Sequence, residues 1–248
     1  MPFLQGNRAQ IFSSRVWKPN PGTPINWTHK LAQGIVGMWL FNDTPPPLGI
    51  TYDLSGNENH GTLVATTASV PGLFGTALRF DGDSDFVDCG DVTAVEGVAQ
   101  LSIVLWVRTP LSDSANNYFV SKEGGVGDVF SFGWDASEDV RLRVDAGGND
   151  DVGKFIDGIK DEPGVWKQIA GVYDGANIYV YVDGIVGGTV GTLTGATDTS
   201  TGTLIIGALD SGDGNWWNGD IDHVTIYNRG LTAAEVTELY ADPFQMFF

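Results

Sequence analysis

Apolar and polar residues alternate with a period of two through most of this chain, and the clearest run is Val165 to Val186, VWKQIAGVYDGANIYVYVDGIV. Trp166, Gln168, Ala170 and Val172 fall on one side, and Val165, Lys167, Ile169 and Gly171 on the other, which is the pattern of a strand. Asp174-Gly175-Ala176-Asn177 then supplies turn residues. In the returning run Ile178, Val180 and Val182 alternate with Tyr179 and Tyr181. The pattern predicts a long antiparallel hairpin that offers the three aliphatics to a core, followed by a tight Asp183-Gly184 turn into a further strand.

The same alternation recurs on both sides of this hairpin. Gly34 to Phe41 (GIVGMWLF) reads as a first core strand, with Val36, Met38 and Leu40 on one face and Ile35, Trp39 and Phe41 on the other. Leu101 to Thr109 sends Leu101, Ile103, Leu105 and Val107 one way and Val104, Trp106 and Arg108 the other. Phe119–Lys122, Val129–Trp134, Val140–Asp145, Leu204–Leu209 and Ile221–Tyr227 read as further strands. Ala77 to Gly90 reads as two short strands around an Asp81-Gly82-Asp83-Ser84-Asp85 hairpin tip, and Asp145 to Asp151 as a solvent-exposed connection. One helix is expected, near the C-terminus. Thr232 is its N-cap, Glu235 completes a capping box, and Leu231 and Val236 occupy the staple positions. The fold class is therefore all-β: a two-sheet antiparallel sandwich with one short C-terminal helix.

Residues 1–33 differ from the remainder. Pro19, Pro21 and Pro24 interrupt regular structure, and Arg8, Arg15, Lys18, His29 and Lys30 put positive charge at one end of an acidic protein. They read as an N-terminal arm to a domain of residues 34–248, held either by that domain or by a neighbouring chain. The apolar end, Phe244 to Phe248, is expected to dock on protein.

Composition narrows the function classes. With 31 Asp and Glu against 13 Lys and Arg, the formal net charge of −18 opposes a nucleic-acid surface. A single cysteine, Cys89, excludes an intrachain disulfide and reads as a small buried residue. No stretch approaches transmembrane length, and MPFLQGNRAQIF has no signal-peptide core, so neither membrane insertion nor Sec-dependent export is expected.

Taken in order, DLSGNENHGTL, PGLFGTALRFDGDSDFVDCG, LSIVLWVRT, the Trp-to-YVDG hairpin and NGDIDHVTIYNRGLTAAEVTELY resemble the laminin-G-like, pentraxin-like jelly rolls of the concanavalin A superfamily. The resemblance runs from about Gly34 to Tyr240. It implies a curved jelly-roll sandwich, and it also implies a structural calcium held between the early loop and the last strand. The matching positions are Asp53, Asn59 and Asp222; the alternative is that Asp53 serves an Asx-turn and Asp222 caps a turn. Glucanases of the superfamily alternate carboxylates along one strand. Here the nearest match, Asp220-Ile221-Asp222-His223-Val224, has valine where the third acid belongs, so a non-enzymatic protein is expected.

For glycans, the candidate is a polar loop with two adjacent indoles, Trp216 and Trp217, beside Asp213 and Asn215; aromatic faces stack on sugar rings. The alternative is that one indole packs beneath the loop. The arm resembles the N-terminal segments of phage-encoded laminin-G-like proteins. That leads to a virion protein, a capsid decoration displayed on the outer surface, with Arg8, Arg15 and Lys18 clasping an acidic capsid neighbour and a homo-oligomer open. The other function considered is an extracellular, cell-derived carbohydrate-binding lectin module.

Overall fold

A computed structural model describes residues 17–42, 49–109, 117–134, 139–155, 162–210 and 215–248. Arg8, Arg15 and Asp213 lie outside them. The first half contributes β1 (Ile35–Trp39), β2 (Ile50–Thr51), β3 (Gly61–Val64), β4 (Ala68–Pro71), β5 (Thr76–Asp81), β6 (Phe86–Asp88), β7 (Leu101–Arg108) and β8 (Asn117–Lys122). The second contributes β9 (Phe130–Trp134), β10 (Val140–Ala146), β11 (Asn149–Phe155), β12 (Lys167–Tyr173), β13 (Asn177–Val182), β14 (Ile185–Thr192), β15 (Leu204–Ile206), β16 (Asn218–Tyr227) and the helix α1 (Ala233–Ala241). Every pairing is antiparallel. A first sheet runs β4-β5-β16-β7-β12-β13-β14, with β1 also on β16, and a second runs β2-β3-β6-β15-β8-β9-β10-β11. The two meet where Lys154 of β11 pairs with Thr189 of β14.

The inner faces of the two sheets form one core, and period-two alternation puts the expected residues there. Leu101, Ile103, Leu105 and Val107 of β7, with Ile178, Val180 and Val182 of β13, join Phe119, Phe132, Trp134 and Leu142 from the second sheet. The opposite face of the first sheet is covered as well. Val104, Trp106, Ala170 and Tyr181 lie under Ile25, Leu31, Val236, Leu239, Phe244 and Met246 in a second core. The α1 capping box forms as expected from Thr232 and Glu235. Residues 17–33 thus lie on their own domain and supply part of its packing. Among the described residues no helix is long and apolar enough to cross a membrane.

Three local expectations are corrected. In β1 the register shifts between Ile35 and Gly37. This β-bulge moves Val36 into the core with Trp39 and Phe41 and turns Ile35 outward with Met38 and Leu40. Asp81 to Asp85 is not a hairpin tip: β5 pairs with β4 and β16 while β6 pairs with β3 and β15, so the segment crosses from one sheet to the other. Asp81 Oδ1 accepts the backbone N–H groups of Asp83, Ser84 and Asp85 along that crossing. The third change is one of extent only: the connection expected from Asp145 to Asp151 is solvent-exposed, but it is shortened to the Gly147-Gly148 turn of a tight β10–β11 hairpin, at φ 61° and 76°, the left-handed pair such a turn requires.

Candidate functional site

The expected calcium ligands are brought to different partners. Asp53 Oδ1 accepts from Met38 N (2.9 Å) and Ser55 N (2.8 Å), and its Oδ2 accepts from Asn59 N (3.1 Å) and the Ser55 hydroxyl (2.7 Å). The Asn59 side chain donates to the Val36 carbonyl at 3.2 Å, as does Asn57 at 3.0 Å. The loop therefore caps a carbonyl at the β1 bulge, where the ladder shifts register. Asp222, fully buried on β16, accepts Lys18 Nζ on Oδ1 at 2.8 Å and the Leu73 and Phe74 amides on Oδ2 at 2.7 and 3.2 Å. Burial would raise its pKa, but Lys18 and His223 outweigh it and hold the carboxyl below the ordinary value. Asp53 and Asp222 do not fit a shared calcium with Asn59, because both oxygens of each carboxylate already accept from protein donors, Asp53 from its own loop and Asp222 from Lys18 and the Leu73 and Phe74 amides. Lys18 is likewise corrected: it reaches an acid of its own chain, not of a neighbour. Among the described residues no group of three or more His, Cys, Asp or Glu is gathered to hold a metal.

The tryptophan pair divides. Trp217 is wholly buried, 4.8 Å from the Phe119 ring and 4.6 Å from Trp134, so it belongs to the core and not to a glycan surface. Trp216 points to the outer face of the second sheet, half-buried against Phe86, Ile205, Ala208 and Val64. The run into β16 carries consecutive side chains to opposite sides, as in any extended chain, and the carbonyl of Asn215, at a left-handed φ of 59°, accepts Tyr118 N.

Along that same outer face lies a constellation that sequence reading missed. On β10, Arg141, Arg143 and Asp145 alternate with the core residues Leu142 and Val144. Arg143 is caged by four carboxylates: Asp145 at 2.7 Å, Glu123 at 3.0 Å, and Asp128 and Asp150 at 3.4 Å. Burial pushes the Asp145 carboxyl up to about 6, against the pull of Arg143. Burial likewise raises Glu123. One Asp145 oxygen, Oδ2, accepts no hydrogen bond although it is out of contact with solvent. Beside the cage is a cleft of about 710 Å³ lined by Asp128, Asp145, Asp150, Asp198 and the Gly147-Gly148 turn. Asp198 is fixed there by the Gly148 amide at 3.1 Å. On the other side of the cage, Arg141 lies over the Tyr118 ring at 5.4 Å and bonds its hydroxyl. Among the described residues, the buried Arg141 Nε and Trp216 Nε1 donors meet no acceptor. The face therefore runs from an acidic cleft, past an Arg-Tyr pair, to an indole. The signal in the sequence was Arg-x-Arg-x-Asp on one face of a strand in a chain with few basic residues.

A family model described as the concanavalin A-like lectin/glucanases superfamily matches residues 81–237. Comparison with curated sequences finds no match. Among solved structures, the chain is similar to domain 4 of AbnA, an extracellular arabinanase from Geobacillus stearothermophilus, in complex with arabinotriose. The identity is 20%, the TM-score 0.63, and the match covers 83% of this chain and 98% of that one. It is similar to the binding domain of Paraclostridial Mosquitocidal Protein 1 at 16% identity and TM-score 0.65, over 85% of this chain and 52% of that one. It is also similar to Trypanosoma rangeli sialidase in complex with sialic acid, at 18% and 0.62, over 86% and 33%. The chain thus spans about half of the toxin domain and a third of the sialidase. At these identities the likeness is one of fold.

Proposed function

Because the chain belongs to the concanavalin A-like lectin/glucanases superfamily, we propose that it is a non-enzymatic glycan-binding protein whose ligand lies along the outer face of the second sheet. The observation that carries this reading is the cleft beside the Arg143 cage, lined by Asp128, Asp145, Asp150 and Asp198. A carboxylate only accepts, and a sugar hydroxyl both donates and accepts, so the acids lining the cleft suit the hydroxyl groups of a polyol. Trp216 at the far end offers an apolar edge. The arabinotriose complex of a similar fold supports the same class of ligand. Support for a binding role over hydrolysis comes from β16. Asp220 is paired with Arg79 at 2.7 Å and Arg108 at 2.9 Å, and Asp222 with Lys18, so neither is free to act as acid or nucleophile.

The test is a glycan array followed by titration calorimetry on the full chain. Binding of a neutral oligosaccharide that weakens at least about tenfold in Asp145→Asn and Trp216→Ala, a loss of about 1.4 kcal/mol, supports the site. Binding unaffected by both changes, or release of shortened sugar, overturns the reading. Display on a virion is a further part of the proposal and rests on the arm's resemblance and the net charge of −18. With Lys18 turned inward, Arg8 and Arg15 are the arm's candidates for a capsid neighbour. Particles that retain the protein after both are changed to alanine would count against it.

A further inference from the structure

The Lys18 ammonium has three N–H donors and no acceptor, and among the described residues three oxygens receive it. They are Asp222 Oδ1 at 2.8 Å, the Asp222 carbonyl at 2.7 Å and the Thr76 carbonyl. The side chain is 3% exposed and its partner wholly buried. The receiving wall is built for this contact. Gly72 lies so close that a Cβ there would stand 2.3 Å from Asp222 Oδ2. The Phe74 ring meets Trp106 and Phe244 edge to face and closes one side.

The arm around this anchor is loosely held. Trp17 is 63% exposed, and Asn20, Pro21, Gly22 and Pro24 are exposed before Ile25 is buried again. Lys18 N bonds the Phe74 carbonyl at 3.3 Å, Asn42 holds the Pro19 carbonyl at 2.8 Å, and Asn26 N bonds the Met246 carbonyl at 2.8 Å. Among the described residues, none of 17–33 enters the inter-sheet core.

We propose that the outer face of the first sheet carries a socket for a primary alkylammonium, filled by Lys18 of the same chain, and that residues 17–25 form a strap for which that ammonium is the principal fastening. The socket reads chemistry as well as charge. A guanidinium is a planar fork, longer and wider, and cannot present three donors to acceptors gathered around one nitrogen. An ammonium carrying methyl groups in place of hydrogens has nothing to donate. With the strap lifted, Asp222 and the Phe74 wall are open to a lysine side chain from elsewhere.

The experiment uses the full chain with Lys18→Ala, Lys18→Met and Lys18→Arg. Hydrogen exchange at the residue 18 and Asn26 amides should quicken at least about tenfold in all three, while β7 and β12 amides keep their rates. Adding n-propylammonium chloride, which replaces the atoms Lys18→Ala removes, should raise the midpoint of that variant by roughly 2–4 °C. Tetramethylammonium chloride at equal ionic strength should not. Equal rescue by both salts would mean screening alone and overturns the socket. Strap amides that exchange in the variants as in the parent overturn the strap. If Lys18→Ala does not fold, Lys18→Met keeps the stem and carries the exchange measurement; acceleration spread evenly over β7 and β12 then refutes a local strap.

Discussion

Replacing Asp145 by asparagine should stabilise this protein near pH 8 and weaken its hold on a glycan. The Asp145 carboxyl is pushed from an ordinary 3.8 up to about 6, chiefly by burial, with Asp128, Asp150 and Glu123 adding to the rise. A rise of that size corresponds to about 3 kcal/mol of stability lost when the group is ionised. Solvent at the cleft mouth reduces this to about 1–3 kcal/mol. Asparagine keeps an oxygen for the 2.7 Å bond from Arg143 and removes the charge. The sign follows from proton binding. Between about pH 4 and pH 6 the folded protein holds a proton on Asp145 that the unfolded chain has released, so this group's cost shrinks as pH falls through 6 and is gone below 3.8. Urea melts of both proteins at pH 8, 5 and 3 should show the asparagine variant ahead by about 1–3 kcal/mol, then less, then level. A variant no more stable than the parent at pH 8, or a gap that persists at pH 3, would refute the reasoning. A stabilising change that costs binding is what a recognition group held in an unfavourable place should show.

Two further outcomes separate core from surface and protein from metal. Trp217→Ala should cost about 3–5 kcal/mol in urea melts, since the indole is wholly enclosed by Phe119 and Trp134; Trp216→Ala should cost much less and show itself in glycan titration, and a reversal of that order would contradict the division of the pair. A chelator should leave the thermal midpoint unchanged, because the Asp53 and Asp222 carboxylates are satisfied by protein donors and the Asn59 amide is turned to the Val36 carbonyl. A drop of several degrees would show that a bound ion competes with Lys18 for Asp222.

The alternation along β7 and β13 decided by itself which residues enter the core, because successive strand side chains point to opposite faces whatever the partner strand. The capping box of α1 was as legible, its donors and acceptors lying within three residues. Longer-range matters were not. Val36 faces the core because a bulge in β1 shifts its pairing with β16, a property of two strands and not of one. Asp222 looked like a metal ligand until the fold brought Lys18 to it across 204 residues. Trp216 and Trp217 were equivalent in sequence, and only the placement of the second sheet decided that Trp217 enters the core and Trp216 the outer face. The Arg143 cage draws on Glu123, Asp128, Asp145 and Asp150, from β10, β11 and the loop after β8. Each of those carboxylates is unremarked in an acidic chain. Periodicity puts Asp145 on the face of Arg143, but only β10–β11 registry brings Asp150 and only the path of the β8–β9 loop brings Glu123 and Asp128, because tertiary pairing chooses a side chain's lateral neighbours, while periodicity along a strand chooses only its face.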